Sequence, residues 1–429
     1  MVPLAVVHND WTSARRDQPS EPALGLPKMT FKLAVVEDFD RKMPEKFDEN
    51  ANEKLSTKSP KTKKISTTFA LINLMKGMVG PGCFALPMAF KQAGLWAAFG
   101  IDFLLGIVSA ICMIKLVKCA QYLCERNKCG KLDYGQLAQE AFATGWRPLA
   151  RFRYVARWFV NSCLIFLQLG ICSVFYIFVV DHAKEELTSA EHIPTSKLPA
   201  VTDFNGVVLS AGSILYALEG QAMVLPLENK MKHPKDMGGL TGVLVTGVSL
   251  VTLIYAGTGF YGYITYGDSV EASITLNLSN SPLNISVKVM LLCVVYSGFL
   301  IQQYPLVEML WPLAKRPLRE RGVRRAYIIT LEYGFRYSIV FIALGLSWLI
   351  PNLEEIIPLV GVTSGMLLAL VLPSVIEIVV FFKEWRTNHS TLKFCILLGL
   401  DCFYAALGLF FVVTGLQANI QDLIHGIPD

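Results

Sequence analysis

Long apolar stretches alternate with short polar connections from residue 67 to the end of the chain. An apolar run of about 20 residues is long enough to cross the hydrocarbon core of a bilayer as a helix. The pattern therefore predicts an all-α polytopic membrane protein whose transmembrane domain covers 67–416. Its nine predicted spans are 67–90, 95–118, 155–181, 205–227, 238–263, 285–310, 327–350, 356–382 and 393–416.

The residues before the first span predict a disordered tail that lies in the cytoplasm. Residues 1–66 are polar and rich in charge, which is typical of segments that bury too little apolar surface to fold. The tail ends in the basic run Lys58 to Lys64, and Lys and Arg are favoured on the cytoplasmic side of a membrane. Alternation of the spans then places loop 264–284 and the short tail 417–429, which both lack Lys and Arg, on the non-cytoplasmic side.

Glycine and proline interrupt two of the predicted spans. The run from Gly77 to Gly82 holds three glycines and one proline, which disfavour a helix by about 1 and 3 kcal/mol per residue. A weaker break lies at 216–220. A broken helix at membrane depth is tolerated only where it faces protein or a wet cavity, and such breaks mark midplane substrate sites in transporters.

The composition excludes several other classes. Of the 429 residues, 53% are hydrophobic and 17% are charged, and the charge is confined largely to the tail and the loops. The sequence contains no Walker loop, nucleophile elbow or zinc-protease motif, and its Cys and His residues lack metal-site spacing. We expect a protein that is not an enzyme, that has no cofactor or metal and that binds lipid but no nucleic acid.

Two long motifs resemble a known family, namely 74–87 around the first break and 216–234 around the second. The shorter segments 116–120, 133–135 and 168–172 support the resemblance. These residues are similar to the proton-coupled amino acid transporters of the amino acid/auxin permease group, from about residue 66 to the C-terminus. The resemblance implies a LeuT-like inverted-repeat fold and symport of small neutral amino acids, of the glycine, alanine and proline type, towards the cytosol.

The substrate site is expected at the two breaks. Amides freed near Gly80 and Gly82, facing the positive end of a half-helix, suit a carboxylate, whereas carbonyls near Tyr216 and Glu219 suit an ammonium group. Tyr176 occupies the third-span position that limits substrate size in the family. The complete set of predicted substrate-binding residues is Gly77, Val79, Gly80, Pro81, Gly82, Tyr176, Tyr216, Glu219 and Gly220.

Glu219 is the predicted proton-coupling residue. An acid in the middle of a span is costly to ionise, so it can load and release a proton during transport. The structural alternative is a neutral Glu219 that caps free amides at the break. Sodium coupling stays open, because carbonyls at the breaks can also bind that ion.

The chain departs from the family in two respects. Several family members carry His at the position of Asn73, and Asn cannot titrate. Family members have eleven spans, whereas the short polar segment 182–204 leaves no room here for the fourth and fifth. Two functions therefore stay open: a working symporter, and a non-transporting sensor or regulatory isoform that forms homo-oligomers or pairs with a full-length member. The plasma membrane and endolysosomal membranes are both compatible with the sequence.

Two glycosylation sequons, at Asn277 and Asn284, lie in the predicted non-cytoplasmic loop. We expect a glycosidase that removes N-linked glycans to lower the apparent mass of the wild-type protein on a denaturing gel. Asn277→Gln should abolish most of this shift, since Asn284 lies close to the bilayer. The cytoplasmic sequon at Asn388 is the control, because Asn388→Gln should leave the shift unchanged. Unchanged mobility of the wild-type protein after glycosidase treatment would contradict the assigned topology.

Overall fold

The structure is a computed structural model that describes residues 64–128, 130–182, 193–239, 241–277, 282–349, 352–388 and 390–425. Within these ranges the regular structure is helical, apart from an isolated β-bridge between Ile65 and Met231. The chain is an integral membrane protein, as the hydrophobic pattern predicted.

The helices follow the predicted spans closely. They are α1 (Thr67–Met78), α2 (Pro81–Phe84), α3 (Leu86–Ala93), α4 (Leu95–Asn127), α5 (Tyr134–Thr144), α6 (Arg147–Ala150), α7 (Arg153–His182), α8 (Phe204–Ala217), α9 (Gln221–Glu228), α10 (Val243–Tyr266), α11 (Pro282–Glu320), α12 (Arg325–Leu349), α13 (Leu353–Val360), α14 (Leu372–Asn388) and α15 (Thr391–His425).

Seven helical segments in the described residues are long and apolar enough to cross a membrane. They are Leu95–Asn127, Arg153–Phe175, Phe204–Glu228, Val243–Ser269, Ala326–Leu349, Leu353–Asn388 and Thr391–Gln421. The other two predicted spans also fall on helical residues. Span 67–90 is divided among α1, α2 and α3, and span 285–310 lies inside α11.

The first predicted break interrupts the helix at the expected position. Ser66 caps the start of α1 by accepting a hydrogen bond from the amide of Phe69 at 3.4 Å. The helix ends at Met78, and Val79 and Gly80 take extended backbone conformations before Pro81 begins α2. Proline at the first position of a helix is favourable because its missing N–H would have no intrahelical partner there.

The second predicted break separates α8 from α9. Helix α8 ends at Ala217, and Leu218, Glu219 and Gly220 precede the start of α9 at Gln221. The predicted span 356–382 contains a different irregularity, because two π-helical segments, Gly361–Gly365 and Leu367–Val371, join α13 to α14. Such segments widen a helix locally and are often found near functional sites.

The broken helices lie in the interior of the helical domain. Helix α10 packs against α1, α3 and α4, and α8 packs against α3, α13 and the first π-helical segment. By contrast, α12 and α15 turn large apolar side chains outward, including Trp348 on α12 and Val413 on α15. This arrangement buries the second break and Gly82 of the first, leaves Val79 exposed, and presents lipid-compatible surfaces at the outside.

Candidate substrate and proton site

The structure brings the two helix breaks into direct contact. A Cβ atom placed on Gly82 would lie 2.9 Å from the Cα of Ala217 and 3.1 Å from ring carbon Cδ1 of Tyr216. On the other side of the contact, a Cβ atom on Gly220 would lie 3.1 Å from Cγ of Met78. At Gly82 the first break therefore approaches the backbone of α8 more closely than a residue with a side chain allows, whereas Gly220 lies against the flexible side chain of Met78.

Tyr255 of α10 joins the ends of the two broken helices. Its hydroxyl lies 2.8 Å from the carbonyl oxygen of Met78 and 2.9 Å from that of Ala217, and its side chain is fully buried. The last carbonyls of a helix have no intrahelical donor. The hydroxyl has one proton, so it donates to one of these carbonyls at a time. Tyr255 can therefore form a hydrogen bond with either helix end in turn.

The first break leaves backbone donors without an acceptor in the described chain. The amide of Val79 still donates to the carbonyl of Met75 at 2.9 Å. The amides of Gly80 and Gly82 find no acceptor within the described ranges, and Pro81 has no amide hydrogen. Two of the predicted donors for a substrate carboxylate are therefore unoccupied by other parts of the chain.

The second break leaves acceptors in the same region. The carbonyl of Tyr216 accepts from the amide of Glu219 at 3.3 Å, but those of Leu218 and Glu219 accept no hydrogen bond in the part of the chain that the structure describes. The amide of Gly220, another predicted site residue, is already engaged, because it donates to Oε1 of Gln221 at 3.2 Å. The Nε2 of Gln221 in turn donates to Oγ of Ser109 at 3.2 Å.

Glu219 is a buried acid without a direct partner. Its side chain is 9% exposed, and neither carboxyl oxygen makes a hydrogen bond to any described residue. The amides of Gln221 and Ala222 at the start of α9 lie close enough to act on the carboxyl. These two amides are the donors that the structural alternative, a neutral Glu219 capping the break, requires.

The remaining predicted site residues differ in their surroundings. Gly77 faces the flexible end of Met223, whereas Val79 is exposed on the outer side of the break. Gly80 lies near Phe175 of α7, since a Cβ atom on Gly80 would be 3.9 Å from Cζ of that ring. The adjacent Tyr176 lies on α7, but its side chain is outside the described residues.

Two residues that approach the helix breaks were not indicated by the sequence pattern. Tyr255 and Phe175 approach the breaks, but both resemble ordinary residues of an apolar span. Glu332 and Arg336, which lie four residues apart on one helix, form an ion pair of 2.9 Å, as this spacing favours.

Two further charged residues of the spans contrast in burial. Lys76, next to the first break, is exposed. Asp102 on α4 is fully buried, and its two carboxyl oxygens make no hydrogen bond to any described residue.

Of the two sequons, Asn277 donates through Nδ2 to the carbonyl of Ser269 at 2.8 Å, whereas the side chain of Asn284 lies outside the described residues.

The fold and the paired breaks define a polytopic membrane protein with discontinuous helices at its centre. A family profile described as transmembrane amino acid transporter protein matches residues 63–189 and 182–421. The chain belongs to this family. It is therefore a member of a transporter family and not of an enzyme family.

Two curated relatives match most of the chain. A probable amino acid transporter, skat-1, from Caenorhabditis elegans is 29% identical, with 85% of this chain and 92% of the relative covered. The proton-coupled amino acid transporter-like protein pathetic from Drosophila melanogaster is 27% identical, with 82% and 84% covered. The likeness therefore extends over nearly the whole length of both relatives.

Substitution of Gly82 tests the contact between the breaks. We expect Gly82→Ala to lower the thermal stability of the purified protein in detergent, because the new Cβ atom collides with backbone that cannot move aside. Gly80→Ala is the matched control, since its Cβ atom would meet nothing closer than 3.9 Å. Equal stability of the two variants would contradict the packing described here.

Substitution of Tyr255 tests the hydroxyl bridge. We expect Tyr255→Phe to destabilise the protein by about 1–3 kcal/mol, because it leaves buried carbonyls without a donor. Tyr263→Phe on the same helix is the control, since Tyr263 is equally buried and its hydroxyl donates to no described residue. Melting curves of both variants in detergent provide the measurement, and a Tyr255→Phe protein as stable as the wild type would refute the bridge.

Proposed function

We propose that this chain is a proton-coupled symporter that carries small neutral amino acids, of the glycine, alanine and proline type, towards the cytosol. The observation that carries the proposal is the contact between the two helix breaks, with a buried, unpartnered Glu219 in the second one. Membership of the transporter family and the printed name of the Drosophila relative support amino acid transport and proton coupling.

The unpaired backbone groups are complementary to a zwitterion. The amides of Gly80 and Gly82 would bind the substrate carboxylate, and the carbonyls of Leu218 and Glu219 would bind its ammonium group. Because these groups are fixed by the backbone, they recognise the part that all amino acids share. The nearby bulk of Phe175 favours a small side chain.

Glu219 would carry the proton. An isolated carboxylate is unfavourable in a buried site, so a neutral carboxyl is the stable form until the site opens to water. Protonation from the acidic side and release into the cytosol would then accompany the movement of substrate. No exchange of this kind is open to Asn73, which cannot titrate.

A second candidate, a non-transporting sensor or regulatory isoform, is favoured by different observations. The family match is divided into two segments that meet at 182–189, where the family's fourth and fifth spans were expected to be missing. The alignment with the C. elegans relative runs over 424 positions. It includes 85% of the 429 residues of this chain, or about 365 residues. At the remaining aligned positions, the relative has residues and this chain has gaps.

One face of α1 is exposed, as expected if the helices that would cover it are missing. Phe69, Ile72 and Val79 are exposed on this face, together with the polar residues Asn73 and Lys76. A lipid-facing helix rarely presents an amide and an ammonium group at such positions. If no partner covers this face, the chain lacks a wall of its pathway and transport would fail.

Uptake of labelled glycine, alanine and proline in cells expressing the chain separates the two candidates. We expect uptake that increases at acidic external pH. Glu219→Gln should reduce this net uptake to the level of untransfected cells, because the amide cannot exchange a proton. The same variant should retain exchange of internal for external substrate, which requires no net proton movement.

The controls fix the interpretation of this experiment. Surface expression of each variant is measured, and Glu332→Gln serves as a second substitution of a span carboxyl. Acid-stimulated net uptake that persists in Glu219→Gln would exclude Glu219 as the coupling residue. Absence of uptake by the wild-type chain at the surface, with activity in a version that restores the two spans, would favour the regulatory isoform.

A further inference from the structure

A second group of charged side chains is buried between α4, α14 and α15. The Nζ of Lys115 lies 3.1 Å from Oε2 of Glu377 and is also hydrogen-bonded to Oδ1 of Asp401. The same ammonium lies over the ring of Tyr404, 4.7 Å from its centroid. The charged side chains are at most 14% exposed, and none of them belongs to either helix break.

The charges of this group do not balance. Two carboxyl groups face one ammonium, so full ionisation would leave one net negative charge in a low-dielectric interior. An uncompensated buried charge of this kind is strongly unfavourable. Binding of one proton to either carboxylate would make the group neutral.

Neighbouring residues do not supply the missing positive charge. Lys118, one turn further along α4, is exposed, and the charged groups that act on Asp401 are Lys115 and Glu377. The other titratable side chains near the group are two thiols and a phenol, which carry no positive charge, namely Cys112, Cys119 and Tyr404.

The position of Asp401 argues against a role in packing alone. Helix α15 buries the smallest share of its apolar stretch among the seven candidate spans, and Leu400 and Phe403 point outward. Asp401 is nevertheless turned inward and is 1% exposed. Apolar residues of similar volume often replace buried ion pairs without loss of stability, so packing does not require an acid here.

The group lies at membrane depth in the cytoplasmic half of the predicted topology. Lys115, Glu377 and Asp401 lie 3, 5 and 8 residues inside the cytoplasmic ends of the predicted spans 95–118, 356–382 and 393–416, which is about 5–12 Å at 1.5 Å per residue. Tyr134 lies within electrostatic range of both Glu219 and Cys112, and its hydroxyl donates to the carbonyl of Leu368 at 2.8 Å.

We propose that Lys115, Glu377 and Asp401 form a second proton-binding site, separate from the substrate site. One proton binds to a carboxylate oxygen of Glu377 or Asp401, and the other carboxylate remains paired with Lys115. The step adds a proton and breaks no other bond. Its participation in coupling rests on the proposed function, but the binding of the proton does not.

Infrared spectroscopy tests whether the Lys115 group holds a bound proton. The sample is the purified full-length chain in lipid nanodiscs at neutral pH, without substrate. The amplitude of the protonated-carboxyl C=O stretch counts neutral carboxyl groups. Glu377→Gln and Asp401→Asn should each lower this amplitude by one carboxyl per chain, because the remaining acid then pairs with Lys115 and ionises. Lys115→Met should raise it by one carboxyl, because both acids then become neutral.

Glu332→Gln is the matched control, since Glu332 and Arg336 form a balanced pair at 2.9 Å and hold no additional proton. It should leave the amplitude unchanged. The two carboxyl variants are independent, so either one that folds by circular dichroism decides the question. An amplitude equal to that of the wild type in Glu377→Gln or Asp401→Asn would overturn the proposal, whether or not the chain transports amino acids.

Discussion

The backbone of a broken helix inside a membrane must find its partners in the protein, because hydrocarbon offers none. This constraint determines how α1, α2, α8 and α9 are arranged. The carbonyl ends of α1 and α8 meet at the hydroxyl of Tyr255, and Gly82 lets the two breaks approach to backbone contact. The surrounding helices protect this contact from lipid.

The contact satisfies some polar groups and leaves others open. The amides of Gly80 and Gly82 and the carbonyls of Leu218 and Glu219 remain without partners in the described chain, around the buried Glu219 carboxyl. This combination of donors, acceptors and an exchangeable proton suits the substrates of a transmembrane amino acid transporter. The charged group at Lys115 adds a second place where the bilayer-buried chain favours a bound proton over a net charge.

Local chemistry made seven of the spans and both breaks predictable, because helix length, glycine density and proline position act over neighbouring residues. The pairing of Glu332 with Arg336 was predictable for the same reason. Tyr255 is 38 and 177 residues from its two partners, and Lys115 is 286 residues from Asp401, so no local pattern indicates either contact. The Gly220 amide is bonded by the adjacent Gln221 side chain, a contact that the sequence pattern did not indicate.

The central claim is that this chain alone uses a proton gradient to move amino acids through the paired breaks. The most direct measurement is uptake of labelled glycine into proteoliposomes that contain only the purified chain, with an imposed inward proton gradient. The account predicts accumulation above equilibrium that collapses when a protonophore is added. Folded, correctly inserted protein that accumulates no glycine, alanine or proline under the same gradient would contradict it.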